Sequence, residues 1–546
     1  MIFFFSTLAI FQSYILPGLL FSKKLNGSFI FKIISIILIS LLCNFFFISL
    51  LIFLNLYLKE ILYFVFLAQI IFIYHLYKYE NLEIIINYNL FIFIKLFVFT
   101  LIIFALYKNS GNVFYAWDAV VSYNEWAIKF ADGNYPNGMV RPYLIPKIWS
   151  MIYVFSNNSD VALFAKFTTF LFPSLILLMC LDEILVYKKI RDLIKLILFC
   201  LFFYLKKNFI LTGYVDIPLI SMIYSFFYFC RRQKINLAIS AIFISFTIKL
   251  SAVFIFTYFL FSKKKHLIKK IILSLVILFY FIFLYQSKLN NFFSSDIFNE
   301  MGQNDNFNLL AQFKHSLKML FDQNLIYFLI LSLFGLFINN FCRLVLIFYI
   351  LPGWIYWSLL LSYDSRNFLF LFPALIITNS IIIEKILLKI FPRISNFVYT
   401  FDKTLLNSKN IKLNSKIIFL TIVILTSCTL IIKDTEVIKY DELKKNNMIG
   451  NNLMNNKLIE LINTNQLTTN NFVTDFQLIF FVPAFKKYIN WNNFLNNNNK
   501  KKLNEFEYYL IYGHSEKVRK IIDKKIYSKK AVIILDLNGF ILAGPG

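Results

Sequence analysis

Long apolar runs separated by short polar connectors are the dominant pattern of this 546-residue chain. A run of about 20 apolar residues in a helix matches the hydrocarbon core of a bilayer, which is about 30 Å thick. The pattern therefore predicts an all-α polytopic membrane protein with about 11–14 transmembrane helices. The apolar segments lie near residues 2–21, 29–57, 60–77, 89–106, 144–181, 193–206, 210–230, 235–262, 271–286, 325–341, 344–362, 367–384 and 416–432.

The character of the chain changes after residue 433, where Asn, Lys and Asp become common. Residues 470–483, 505–513 and 530–537 have the β-branched and aromatic content of strands, and residues 515–525 have a helical pattern. The sequence therefore predicts a small C-terminal α/β domain outside the membrane. We expect three parts: extra N-terminal transmembrane helices at 1–88, a transmembrane core with an outer loop (107–143) at 89–432, and the extracytoplasmic α/β domain at 433–546.

Composition supports a membrane protein and argues against a nucleic-acid partner. The chain is 59% hydrophobic, with a mean hydropathy of +0.68, whereas soluble domains are about half apolar. The net charge of +26 comes largely from short connectors such as RRQK (231–234) and KKKHLIKK (263–270). Basic residues of cytoplasmic loops show this distribution and contact anionic membrane lipids.

The same bias predicts the orientation of the spans. We place on the cytoplasmic side the connectors that contain Lys23, Lys24, Lys188, Lys189, Arg191, RRQK, KKKHLIKK, Arg343 and residues 385–416. The outer side then receives loop 107–143, the turn at 213–216, loop 287–324, the turn at 363–367 and the C-terminal region. Successive connectors alternate between the two sides of the membrane only if the segment 144–181 crosses it once and adds a half-helix or an interfacial helix. This requirement is the parity argument.

Cysteine and histidine spacing gives no sign of a disulfide framework or of a dedicated metal site. The six Cys are scattered through apolar runs without a CxxC pair, and the four His show no HExxH spacing. We interpret the cysteines as small core residues.

The outer loop contains the first candidates for chemistry. Asp118, Glu125 and Lys129 fall on one face of a continuous helix, because each residue advances about 100°. Carboxylates next to a membrane span are costly unless they are paired, hydrated or functional. The alternative is an ordinary interfacial helix, which Trp117 and Trp126 would also suit.

Three further charged residues lie at the predicted outer ends of spans: Asp216, Lys249 and Arg366. Asp216 could instead complement a helix dipole, Lys249 could be a snorkelling lysine, and Arg366 could simply pair with Asp364. Arg and Lys hold phosphate oxygens, and Arg does so bidentately.

Arg141 and Lys147 begin the next apolar segment and are either further phosphate contacts or interfacial anchors. The sequence does not decide between these two roles for either residue.

Four local motifs within residues 89–384 resemble the GT-C superfamily of polytopic glycosyltransferases, which includes protein O-mannosyltransferases and aminoarabinose transferases. The motifs are WDAVVSYNEWA (117–127), GYVDIPL (213–219), TIKLSA (247–252) and YDSRNFLFLFP (363–373). They are similar to the family's acidic outer loop, its second acidic loop, its T-K-G element and its outer arginine turn.

The resemblance implies inverting transfer of a sugar from a polyprenyl-phosphate donor to a lipid, glycan or protein acceptor outside the cytoplasm. On this hypothesis Asp118 is the general base, and Glu125 orients the acceptor or shares the work of the base. Arg366, Lys249 and Arg141 bind the donor phosphate. Asp216 positions the acceptor, or it joins Asp118 in holding a divalent cation, whose participation is left open. The expected location is a bacterial inner membrane, with the active site on the periplasmic face.

Two other classes of function remain as alternatives. A lipid or polysaccharide transporter or flippase would also have many spans, but it predicts charges in the middle of spans and internal repeats. A polysaccharide polymerase or ligase would rely on a large outer loop late in the chain, whereas the acidic residues here lie in an early loop.

Overall fold

The computed structural model describes most of the chain before residue 391 and fragments of the C-terminal region. The described residues are 2–22, 25–79, 122–136, 143–157, 162–187, 189–206, 209–210, 214–262, 267–285, 309–361, 364–390, 457–458, 460–461, 463–464, 466, 472–474, 507–512, 520, 523–524, 531–537 and 540–545.

The described part is mostly helical, as the apolar pattern predicted, and a small C-terminal sheet follows. Five of its helices are long and apolar enough to cross a membrane. A sixth candidate is the pair Leu310–Asp322 and Ile326–Phe337, if this pair, bent by 104°, is one span. The expected spans at 89–106 and 416–432 lie outside the described residues, so the prediction of about 11–14 crossings stays a prediction. The five helices are Phe29–Phe53, Lys59–Leu76, Phe164–Tyr187, Asn340–Leu359 and Ser365–Ile390.

Eighteen helices are numbered here in chain order. They are α1 (Ile2–Tyr14), α2 (Leu16–Leu19), α3 (Phe29–Phe53), α4 (Lys59–Tyr79), α5 (Glu125–Ala131), α6 (Leu144–Ser156), α7 (Ala162–Thr169), α8 (Leu171–Tyr187), α9 (Ile190–Leu205), α10 (Asp216–Arg231), α11 (Ile235–Ile248), α12 (Val253–Phe261), α13 (Leu267–Tyr285), α14 (Leu309–Asp322), α15 (Ile326–Leu333), α16 (Asn340–Val345), α17 (Leu351–Tyr356) and α18 (Phe372–Ile390).

Two of the candidate spans deviate locally from α-helical geometry. The candidate span that contains α16 and α17 has two π-helical segments, Leu346–Ile350 and Trp357–Leu361. Pro352 explains the first, because proline has no N–H for the helical ladder and crowds the preceding turn. A 3₁₀ segment, Ser365–Leu371, leads into α18. A Cβ on Gly353 would lie 2.6 Å from Cδ2 of Leu371, so glycine allows α17 to pack closely against this 3₁₀ segment.

The segment 144–181 contains one short helix and one helix long enough to cross a membrane, an arrangement that the parity argument allows. It forms the 13-residue α6 and, after a short break, a single 24-residue candidate span, Phe164–Tyr187. Lys147 of α6 donates a hydrogen bond to Ser49, near the end of α3. Tyr63, near the start of α4, donates one to the carbonyl of Phe155. The short helix therefore packs beside the same ends of α3 and α4, and only the second helix is long enough to cross.

Contacts near the connectors define one end of the bundle. Ser28 donates to Asp182 over 2.6 Å, and Tyr187 donates to the carbonyl of Arg231 over 3.1 Å. The backbone N–H of Arg191 donates to Glu384. Described parts of the connectors that were predicted to be cytoplasmic therefore lie together, and this end is called the basic end. Lys23, Lys24, Lys188 and residues 391–416 lie outside the described residues.

The C-terminal region contains a four-stranded sheet in the order β1-β2-β4-β3. Three of its strands fall where the sequence predicted them, and Phe540–Pro545 is an additional one. β1 and β2 pair in parallel, whereas the other two pairs are antiparallel. Of the expected helix at 515–525, the structure describes only residues 520, 523 and 524, all in helical conformation. The strands are β1 (Phe472–Thr474), β2 (Tyr508–Tyr512), β3 (Ala531–Leu537) and β4 (Phe540–Pro545).

Candidate functional site

Asp216, Lys249 and Arg366 come together at one end of α10. The ammonium of Lys249 donates to Oδ1 of Asp216 over 2.7 Å. Nε of Arg366 lies 3.6 Å from Oδ2 of the same carboxylate. Two cationic side chains from separate connections therefore share the carboxylate of Asp216, which comes from a third. These three residues, with Asn367 and Asp364, are called the outer cluster.

Asp216 owes its position to the start of a helix. It is the first residue of α10, and the positive end of a helix dipole stabilises a carboxylate there. The residue is only 3% exposed, so its charge depends on the two cations rather than on water. The carboxylate of Asp216 therefore complements the helix dipole and also belongs to the candidate site.

Lys249 lies at a break between two helices. α11 ends at Ile248, Lys249 is extended (φ −157°, ψ 141°), and a short 3₁₀ turn begins at Leu250. The break turns the lysine toward Asp216 and Asn367, whose Oδ1 also accepts from Nζ over 2.7 Å. Two protein acceptors hold this lysine, which distinguishes it from a snorkelling side chain.

Arg366 is fixed from several directions. Asp364 caps the 3₁₀ segment by accepting from the backbone N–H of Arg366 over 2.8 Å, and it also pairs with the guanidinium over 2.8 Å. The guanidinium carbon lies 3.9 Å from the centroid of the Tyr214 ring. Trp357 donates to the backbone carbonyl of Asp364 and holds the turn in place. The local pair with Asp364 is therefore real, and it coexists with the contact to Asp216.

The outer cluster is formally neutral, with two cations and two carboxylates. Exposure of the side chains increases from 5% for Asp216 to 11% for Arg366, 23% for Lys249 and 29% for Asp364. A ligand would therefore reach Lys249 and Asp364 before it reached Asp216. Sequence reasoning missed Asn367, although it follows Arg366 directly in the turn motif.

Glu125 and Lys129 share a helical face, as predicted. The ammonium of Lys129 lies 2.7 Å from the carboxylate of Glu125 within α5. Burial raises the pKa of Glu125 above its usual range, and the charge of Lys129 opposes that rise. A raised pKa suits a group that exchanges a proton near neutral pH.

The predicted alignment of Glu125 with Asp118 rested on a continuous α-helix. α5 begins only at Glu125, and residues 122–124 form a π-helical turn. A wider turn changes the angle that each residue advances, so the 100° rule does not extend from Glu125 back to Asp118. Asp118 and Arg141, like residue 121, lie outside the described residues, and their roles stay predictions.

Lys147 is an internal cation with an aromatic enclosure. It is 3% exposed and donates to Ser49 over 2.6 Å. Such surroundings stabilise a buried ammonium through cation–π contacts and the hydrogen bond to Ser49. The side chain therefore packs inside the protein rather than serving as an interfacial anchor. Its Nζ lies 4.7–5.8 Å from the centroids of four rings: Phe45, Phe130, Tyr135 and Tyr143.

The outer cluster does not fit a divalent cation. Both carboxylate oxygens of Asp216 face cationic nitrogens, which a metal ion would have to displace. Within the described ranges no three His, Cys, Asp or Glu side chains are grouped to hold a metal.

A second charged cluster lies at the basic end and was missed by the sequence analysis. Arg231 pairs with both oxygens of Asp192, at 2.5 and 2.9 Å, and with Glu183 at 2.9 Å. Lys195 pairs with Glu183 and lies 2.9 Å from Asp192. The RRQK connector was interpreted only as an orientation signal, yet its first arginine is held by carboxylates from two other helices.

Comparison with protein-family models, curated proteins and solved structures found no match for this chain.

Proposed function

We propose that this protein is a membrane glycosyltransferase that moves a sugar from a polyprenyl-phosphate donor to an acceptor on the side of the outer cluster. The proposal assigns that side to the periplasmic face of a bacterial inner membrane. The acceptor is a lipid, a glycan or a protein. The observation that carries the proposal is the convergence of Asp216, Lys249 and Arg366 from three separate connections.

The reaction needs charge stabilisation more than covalent chemistry. The acceptor hydroxyl loses its proton to a base and attacks the anomeric carbon, while the bond from that carbon to the phosphate oxygen breaks. The electron pair leaves with the phosphate, whose charge must be held by cations. Lys249 and Arg366 take this role in the proposal, and Asp118 takes the role of base.

Asp216 and Asp364 define how a phosphate would enter. Each cation already has a carboxylate partner, so a donor phosphate has to share or displace these contacts. Lys249 is the more exposed of the two cations. It can therefore rotate toward a ligand while Arg366, stacked on Tyr214, keeps its place. Asp216 then helps to orient the cations and the acceptor.

The test of function compares glycans and glycolipids on cells with and without the gene by mass spectrometry. A transferase predicts the loss of a defined sugar from a surface product and restoration by the wild-type gene. Purified protein in detergent should also transfer labelled sugar from extracted polyprenyl-phosphate donors. An unchanged set of surface products, together with no transfer by the purified protein, would contradict the proposal.

Transport of a lipid is the second candidate, and one observation favours it. A cavity of about 1030 Å³ with many basic side chains lies at the basic end, opposite the outer cluster. Two charged sites at opposite ends of one bundle suit a molecule that passes between leaflets. The two functions differ in one readout, since a transferase forms product in detergent solution whereas a flippase needs two separated leaflets.

A further inference from the structure

The cavity at the basic end is separate from the outer cluster. α10 carries Asp216 at its start and Arg231 at its end, and its 16 residues span about 24 Å. Arg231 lines the cavity, and so do the N-terminal parts of α9, α11 and α13. A volume of about 1030 Å³ is at the upper end of the range for ligand pockets. The cavity therefore has room for a ligand of its own.

Basic side chains outnumber acidic ones in the described lining of this cavity. Glu183 is the one acidic residue among them, against six basic residues. Glu183 is itself held by Lys195 and Arg231 and accepts from Tyr224 over 2.6 Å. It is therefore neutralised by cations of the buried network. The basic lining residues are Arg191, Lys195, Arg231, Lys234, Lys269 and Lys270.

Cations outside that network are left to face the cavity. Neither the guanidinium of Arg191 nor the ammonium of Lys234 forms an ion pair with any residue that the structure describes. Lys269 donates to the neutral amide oxygen of Asn236 over 2.7 Å. The carboxylate of Glu384 lies near Arg191 and accepts from its backbone N–H. Lys234 and Lys269 therefore supply most of the uncompensated positive charge, which raises the affinity of a cavity for anions.

The remaining lining is largely apolar. Seven aromatic rings contribute to it, and the buried Ile381 of α18 adds aliphatic surface. Cations combined with hydrocarbon walls suit an amphiphile better than a fully soluble anion, because only an amphiphile uses both kinds of surface. The rings are those of Phe31, Tyr224, Phe226, Phe227, Tyr258, Phe259 and Phe341.

We infer that this cavity binds a phosphate-bearing amphiphile, with its head group on Arg191, Lys234 and Lys269 and its tail against the aromatic wall. The chemistry is recognition of a phosphate monoester, which carries up to two negative charges. A lipid of the surrounding leaflet is the source that the apolar wall favours. This site is independent of the proposed sugar transfer, because none of its lining residues belongs to the outer cluster.

The test measures binding of phosphatidic acid to the full-length protein in nanodiscs of otherwise neutral phosphatidylcholine. Native mass spectrometry counts retained lipids, and a fluorescent phosphatidic acid gives the affinity. The double variant Arg191→Gln, Lys234→Gln removes two exposed or half-buried charges and should weaken binding about 30-fold. Lys385→Gln is the matched control, since this exposed lysine of the same end donates to the carbonyl of Ile338 and is not part of the lining.

Three outcomes decide the inference. Selective retention of phosphatidic acid that falls in the double variant and persists in the control supports a lipid site. Binding of inorganic pyrophosphate with the same dependence on the two residues, but no selective retention of phosphatidic acid, supports the phosphate site and assigns it a soluble ligand. Equal retention of phosphatidic acid and phosphatidylcholine without pyrophosphate binding, or equal loss in the control, overturns the inference. Lys234→Gln alone changes an exposed residue and keeps the test valid if the double variant is poorly folded.

Discussion

Lys249 donates a 2.7 Å hydrogen bond to Asp216, a residue 33 positions earlier in the sequence. One residue begins α10, and the other occupies the break after α11, so the bond joins the ends of two adjacent helices. Arg366 approaches the same carboxylate from a third connection. The resulting cluster is the part of the molecule best suited to hold the charged group of a substrate.

The pair of Asp216 and Lys249 should show measurable coupling. Asp216→Asn leaves the ammonium without its anion, and Lys249→Met leaves the buried carboxylate with Arg366 alone. We expect each variant to lower the free energy of unfolding by about 2 kcal/mol and the double variant to lose less than the sum. Unfolding in mixed micelles measures all four corners of the cycle.

An exposed pair provides the control for this cycle. Lys457 and Glu460 lie 2.8 Å apart, with side chains 35% and 59% exposed. Their coupling should be at most about 0.5 kcal/mol. Equal coupling in the two cycles would mean that burial of Asp216 adds nothing to the pair.

Asp118→Asn should abolish sugar transfer while the protein stays inserted and folded. The amide has nearly the shape of the carboxylate but cannot accept the proton of an acceptor hydroxyl. Single-turnover transfer with saturating donor measures the chemical step, and the elution profile in detergent reports on folding. Wild-type rates in this variant would remove Asp118 from the role of base.

Lys147 should be replaceable by an apolar side chain of similar length. Lys147→Met keeps the packing of the stem among the four rings and removes the cost of burying a charge. We expect a free energy of unfolding within about 1 kcal/mol of wild type, whereas Lys147→Ala should lose about 2–3 kcal/mol through the cavity it leaves. Thermal unfolding in detergent compares the variants. A methionine variant as unstable as the alanine variant would show that the charge itself is required.

The predicted orientation can be tested with two single cysteines in a cysteine-free background. Asn112→Cys lies in the predicted outer loop, and Gln233→Cys is exposed at the basic end. An impermeant thiol reagent added to intact cells should label the first position, and it should label the second only after lysis. The opposite labelling pattern would reverse the assignment of the two ends.

Hydrophobic patterning and connector charge predicted much of the helical architecture, because both reflect the solvent that each segment faces. The orientation predicted from connector charge placed Asp216, Lys249 and Arg366 on the same side of the membrane, and the structure brings them into contact. The sequence pattern could not identify Asn367 as a hydrogen-bond acceptor for Lys249, since that contact depends on a 3₁₀ segment that apolar patterning does not reveal.

Contacts between distant helices were the main features missing from the sequence reasoning. The sequence analysis interpreted the basic residues of the connectors as lipid contacts and did not consider the nearby carboxylates of Glu183 and Asp192. Their pairing with Arg231 requires the packing of α8, α9 and α10, which patterning alone does not specify. Strand β4 was also missed. The sequence contains a signal for it, since Asn538 and Gly539 form the dipeptide typical of a tight hairpin.

The most direct test of the outer cluster as a donor site is the dependence of transfer on the concentration of polyprenyl-phosphate sugar in Arg366→Ala. We expect an apparent donor KM at least tenfold above wild type, because a charge-assisted contact to phosphate is worth about 1.5–3 kcal/mol. Arg343→Ala is the matched control, since this exposed arginine lies outside the cluster, and its KM should equal that of wild type. A donor KM unchanged in Arg366→Ala, in protein of normal stability, would contradict the account.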